Sequence, residues 1–181
     1  MPVTTTRTLP AAILREVQKA VIGKDLVLTK VLLAFLAGGH VLMEDMPGVG
    51  KTTLAMAFSK ALGLNCRRVQ FTPDVLPSDL TGFSVYEKNT GTFVFQPGAL
   101  FCHLLLADEI NRTSSKTQAA LLEAMEESNV TVEGKTYALP RPHLVIATQN
   151  PLGCVGTQSL PESQLDRFLM RLHMGCPEIQ D

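Results

Sequence analysis

A three-layer α/β fold, with a parallel five-stranded sheet covered by helices on both faces, is the architecture this sequence predicts, on three observations. Short apolar segments alternate with segments of helical periodicity, and strands this apolar belong in a sheet buried on both sides. A glycine-rich turn, Pro47-Gly-Val-Gly-Lys-Thr-Thr53, joins the first of those strands to a helix. A later strand runs directly into the paired carboxylates Asp108-Glu109. At 181 residues the chain is long enough for one well-buried core and short for two, so residues 1–181 are expected to form a single domain.

The elements follow in order. Pro10 to Ala20 and Asp25 to Ala37 carry apolar residues at helical spacing, separated by Val21-Ile22-Gly23-Lys24. Val41 to Glu44 is the first strand, and after the glycine-rich turn Thr52 to Leu62 is a helix. Strands are expected at Arg67 to Phe71 and Leu104 to Asp108, a helix at Ser115 to Glu127, and two further strands at Leu144 to Thr148 and Phe168 to His173. Two excursions interrupt the alternation. Thr72 to Gly98 is turn-rich and contains Phe83 to Phe95, whose alternation about Asn89-Thr-Gly91 reads as a β-hairpin. Val130 to Ala138 has the same form, with Glu133-Gly134 at its tip.

Composition excludes several classes. A net charge of −1 gives no bulk attraction to nucleic acid or to an anionic membrane surface. The longest apolar runs, Val31 to Ala37 and Leu104 to Ala107, fall far short of the roughly 18 residues a bilayer-spanning helix needs, so no membrane insertion is expected. The N-terminus has no apolar signal-like region. Cys66, Cys102, Cys154 and Cys176 lack metal-ligand spacing and read as core thiols, which places the protein in a reducing cytoplasm.

The chemistry starts at the turn. A polyphosphate carries too much charge for one side chain, so several backbone N–H groups must converge on it at a helix N-terminus. Gly48 and Gly50 permit that approach, with Pro47, Val49 and Thr53 in the same run. Lys51 supplies a point charge to the β and γ phosphates, and Thr52 a hydroxyl to Mg2+. Asp45 stands where the usual pattern begins with glycine. In a parallel sheet ligands gather at the carboxyl ends of the strands, so Asp108 is expected to hold Mg2+ and Glu109 to orient and deprotonate an attacking water. Asn150, after the strand Leu144 to Thr148, is a candidate sensor of the γ-phosphate. Arg167 sits at the end of a short helix before the last strand. It is either a surface ion-pair partner in its own subunit or an arginine finger reaching a neighbour's γ-phosphate.

These motifs together resemble the AAA+ ATPases, and their wording is similar to the MoxR family. The stretches Glu44 to Thr52, Gln70 to Gly82, Phe95 to Leu100, Asp108 to Arg112, Gln118 to Glu126 and Ala147 to Pro151 carry the likeness, and Asp45 fits it too. The resemblance implies a P-loop NTPase core that binds ATP and Mg2+ and hydrolyses ATP. It implies a ring, hexameric in full-length form, that acts as a chaperone-like motor in metal-cofactor insertion or complex maturation, beside a von Willebrand A domain partner and a client protein. It also implies that Val21, Ile22 and Gly23 line the adenine pocket, and that Phe83 to Phe95 is a hairpin inserted within the second helix. A helical lid normally follows such a core. This chain stops at Asp181, so the lid is expected to be absent and the chain to be a fragment. Two other classes stay open: a DNA-linked AAA+ motor or regulator, and a nucleotide-gated binding module without hydrolysis.

Overall fold

The structure, a computed structural model, describes residues 4–44, 48–149 and 160–175. Helices α1 (Thr4–Gln18) and α2 (Asp25–Leu36) precede strand β1 (Val41–Glu44), and helix α3 (Lys51–Leu62) leads to β2 (Cys66–Gln70). A short helix α4 (Pro77–Thr81) enters the hairpin β3 (Gly82–Glu87) and β4 (Thr92–Pro97). Strand β5 (Leu104–Asp108) runs through a 3-10 turn at Ile110–Arg112 into α5 (Ser115–Glu127). A second hairpin, β6 (Asn129–Val132) and β7 (Lys135–Ala138), precedes β8 (Leu144–Gln149), and α6 (Glu162–Leu165) precedes β9 (Met170–Leu172).

The main sheet has the order β2-β5-β8-β1-β9 and its pairings are all parallel. The period of two along each strand divides the core cleanly. Val41, Met43, Leu104, Leu106, Leu144 and Ile146 face one layer with α1, α2 and α3. Leu42, Leu105, Ala107, Val145 and Ala147 face the other, with α4, α5 and the second hairpin. β1, β5 and β8 are therefore covered on both faces, as their unbroken apolar sequences require. β2 differs: it is an edge strand whose Arg67, Arg68 and Gln70 are exposed.

Helix α5 begins where Ser114 accepts the Thr117 N–H at 3.3 Å, an N-cap that satisfies one orphan amide. Helix α4 opens with Pro77 in its first turn, and the Asp79 carboxylate accepts the Leu76 N–H at 2.9 Å. The first hairpin follows α4 rather than interrupting a longer helix. After it the chain returns beside α4, with Ala99 and Leu100 donating to the Asp79 and Leu80 carbonyls. That closure leaves no room for side chains at the base. A Cβ on Gly98 would stand 2.5 Å from the Gly82 nitrogen and overlap the Leu80 carbonyl. The two hairpins meet through Phe95 stacked on Tyr137, ring centroids 3.9 Å apart.

Candidate nucleotide-binding site

The site lies at the carboxyl ends of the central strands, where the parallel topology places it. Leu54 N–H bonds back to the Gly50 carbonyl at 3.0 Å, so α3 starts at the glycine-rich turn, and no side chain caps it. Gly50 has φ 95°, a left-handed conformation that a side chain would strain. The first amides of α3, and its dipole, are thus presented to whatever sits before them.

A cavity of about 360 Å³ opens there, lined by Gly48, Gly50, Lys51 and Thr52 on one side and by Arg68, Gln70, Asp108 and Glu109 on the other. Asp108 shares the sheet face of Leu104 and Leu106, the face on which α3 packs. Lys51 and Asp108 are both buried, at 6% and 8% exposure, so a bound phosphate there would feel little screening from bulk water. The Thr52 hydroxyl and the Asp108 carboxylate are hard oxygen donors of the kind Mg2+ takes. Among the described residues no group of three or more His, Cys, Asp or Glu could hold a metal by itself. That suits an ion held chiefly by phosphate and water, with one or two protein oxygens.

The carboxylates are fixed by several partners. Thr148 Oγ1 donates to Asp108 Oδ1 at 2.6 Å and accepts the Glu109 N–H at 2.8 Å. Arg68 Nη2 donates to Asp108 Oδ2 at 2.7 Å and to Gln70 Oε1 at 3.2 Å. Glu109 has φ 58°, unusual for a residue with a side chain, and its carboxylate receives Arg112 Nη1 at 2.8 Å. The buried Gln118 amide donates to the Ile110 carbonyl at 3.0 Å, holding the 3-10 turn from α5. Next to this network Glu44, at the end of β1, receives the Gln149 amide and, at 3.3 Å, Arg171 Nη2, tying three strand ends together.

The structure therefore brings Gly48, Gly50, Lys51, Thr52, Asp108 and Glu109 to one cleft. Val49 packs against the core, and Thr53 is exposed on the first turn of α3. Ile22 is 86% exposed and Gly23 adopts φ 72°, and neither is among the residues lining this cavity. Val21, expected beside the adenine, is buried at 7% exposure in the core layer that also holds residues of α1, α2 and α3. Arg167 pairs with Glu126 of α5 in its own chain and is not in the cleft. Pro47 and Asn150, with Asp45, lie outside the described residues. Sequence reasoning missed Arg68, Gln70, Arg112 and Thr148. Arg68 and Gln70 carried one usable signal, two polar residues at period two in a short strand.

A helix N-terminus, a buried lysine and a carboxylate-tipped neighbouring strand around one cleft define a P-loop nucleoside-triphosphatase core, and the comparisons place it within a family. The profile of the family described as "ATPase family associated with various cellular activities (AAA)" matches residues 40–170. The chain belongs to that family. Its similarities narrow the placement to the MoxR group of AAA+ ATPases. It is 42% identical to "Chaperone MoxR1" of Mycobacterium tuberculosis over 96% of this chain and 46% of that protein. It is 52% identical to "Uncharacterized protein YeaC" of Bacillus subtilis over 92% of this chain and 52% of that protein. A crystal structure named "putative ATPase", from Cytophaga hutchinsonii, superposes with a TM-score of 0.83 at 40% identity, covering 96% of this chain and 53% of that one. The chain spans about half the length of the curated relatives it matches.

Proposed function

We propose that the cleft binds ATP with Mg2+ and that the whole protein hydrolyses it. The observation that carries this reading is the single cavity joining the α3 N-terminus, Lys51 and Thr52 to Asp108 and Glu109. Backbone amides of the glycine-rich turn and the Lys51 ammonium hold the phosphates, and Thr52 and Asp108 hold the metal, which would offset charge on the β and γ oxygens. Glu109 orients the attacking water and takes its proton. To do so its carboxylate must leave Arg112, an exposed partner that costs little to give up. Asn150 is assigned to sensing the γ-phosphate. Ile22 and Gly23 are assigned to the adenine side, where Ile22 offers an exposed apolar surface.

Arg167 is assigned to a neighbouring subunit's γ-phosphate. Its pairing with Glu126 involves two substantially exposed side chains, a contact readily exchanged for a phosphate. This assignment requires self-association, and a ring, hexameric in the whole protein, is the arrangement proposed. The name of the M. tuberculosis relative, a chaperone, supports a chaperone-like role. In the proposed role hydrolysis drives maturation of a client protein complex, beside a von Willebrand A domain partner, in the cytoplasm.

Calorimetric titration with ADP and Mg2+ tests the cleft. The wild type should bind, and Lys51→Ala, which deletes the buried phosphate counter-charge, should lose at least about tenfold in affinity. Equal affinities for the two would overturn the assignment of the cradle.

A further inference from the structure

Behind the cleft, bonded to two of its lining residues, lies a fully buried hydroxyl that the nucleotide reading leaves without a role. Thr148 has 0% exposure, in the interior of β8. The registers of the sheet, Ala107 beside Ala147 and Met43 beside Thr148, bring it next to Asp108 on the α3 side of the sheet. A threonine hydroxyl has one proton to give and lone pairs to accept with. Here the proton goes to Asp108 Oδ1 at 2.6 Å, within the short range of a charge-assisted bond, and a lone pair takes the Glu109 N–H at 2.8 Å.

We propose that Thr148 is the positioning residue of the cation site, its hydroxyl fixing which oxygen of Asp108 faces the cleft and holding Glu109 in its left-handed conformation. The proposal rests on the nucleotide reading of the cleft. With Oδ1 occupied by Thr148, Oδ2 is the oxygen offered to a cation, and Arg68 Nη2 now meets it at 2.7 Å. The Glu109 N–H, anchored on the same hydroxyl, sets where the following carboxylate starts from. One side chain thus orients the metal ligand and the proposed base together, as partners of ligating carboxylates do elsewhere. Valine in its place keeps the shape, removes the hydroxyl, and leaves a buried carboxylate oxygen and a part-buried N–H without this partner.

The test uses Mn2+ in place of Mg2+, with ADP, on the whole protein, and reads bound Mn2+ by electron paramagnetic resonance. Thr148→Val should need about tenfold more Mn2+ for half-saturation, while its ADP affinity in EDTA stays within about twofold of wild type and Thr148→Ser recovers most of the loss. The proposal is overturned if Thr148→Val retains Mn2+ like wild type, if Thr148→Ser is as weak as Thr148→Val, or if ADP affinity in EDTA falls in step with Mn2+. Should Thr148→Val show no cooperative melting transition, Thr148→Cys, which lacks the γ-methyl as Thr148→Ser does and puts a feeble S–H donor in place of the hydroxyl, decides on the same readouts against Thr148→Ser. A wild-type protein that retains neither ADP nor Mn2+ contradicts the reading of the cleft itself, an outcome distinct from a wild type and Thr148→Val that bind alike.

Discussion

His40 should make this domain lose stability as the pH falls from neutral toward 4. Its ring sits at the entrance to β1, 7% exposed, between α5 and β8. Val145 N–H donates to Nδ1 at 3.1 Å, so Nδ1 carries no proton, and the proton on Nε2 donates to the Met125 carbonyl at 3.1 Å. Protonation would set an Nδ1–H against the Val145 N–H in a buried site. Burial is the main reason its pKa falls from 6.5 to about 4, with the neighbouring His143 pushing the same way and the Met125 carbonyl opposing. Below pH 6.5 the unfolded chain takes up a proton that the native ring refuses until about pH 4. The stability is therefore complete above 6.5 and is lost between the two values. The gap from 6.5 to about 4, at about 1.4 kcal/mol per pH unit, amounts to about 3 kcal/mol. For a domain this size that is on the order of 6–12 °C in Tm. The assay is the Tm of wild type and His40→Gln from pH 7.5 to 4, since an amide can accept from Val145 and donate to Met125 without titrating. Burial lowers the His143 pKa as well, and that contribution is common to both proteins. The variant should show the shallower decline. Parallel declines would refute the reasoning.

Other substitutions probe different parts of the fold. Gly98→Ala should cost about 1–3 kcal/mol, because the added Cβ meets backbone at the base of the first hairpin, and denaturant melts should show it. A Tm equal to that of wild type would mean the base is not closed as described. For the trans role of Arg167, equal amounts of Arg167→Ala and Lys51→Ala whole protein should be inactive apart and active when co-assembled. About a quarter of the junctions in random rings then join an intact cradle to an intact finger, which is worth roughly 10³–10⁵ in rate where it operates. A co-assembled mixture giving only the sum of the separate rates would mean that Arg167 acts within its own subunit or takes no part in catalysis.

Much of the scaffold was legible in the chain because burial on both faces leaves strands no polar choices. β1 and β5 fall where their apolar runs put them, and α5 spans Ser115–Glu127 as its periodicity predicts. Lys51, Thr52, Asp108 and Glu109 were legible through spacing and through the rule that ligands meet strand carboxyl ends. α4 was hidden by its length of 5 residues, too short for periodicity, although Pro77 and Asp79 mark its start. The partners of Asp108 were hidden for another reason. Arg68 and Thr148 lie 40 residues to either side of it, and the strand order that brings them together is a property of the sheet. The left-handed backbone at Glu109 was equally invisible, since nothing in a glutamate announces positive φ. Arg167 was readable as a candidate, and its Glu126 partner in α5 was not.

The most direct measurement is phosphate release by Glu109→Gln whole protein, read beside its affinity for ATP with Mg2+. The substitution keeps the size of the side chain and the cradle of Gly48, Gly50, Lys51 and Thr52, and removes the carboxylate that takes the proton. Binding should stay within about threefold of wild type while turnover falls by about 10²–10⁴. Turnover near that of wild type, or a loss of binding equal to the loss of turnover, would contradict the assignment of this cleft as the site of hydrolysis with Glu109 as its base.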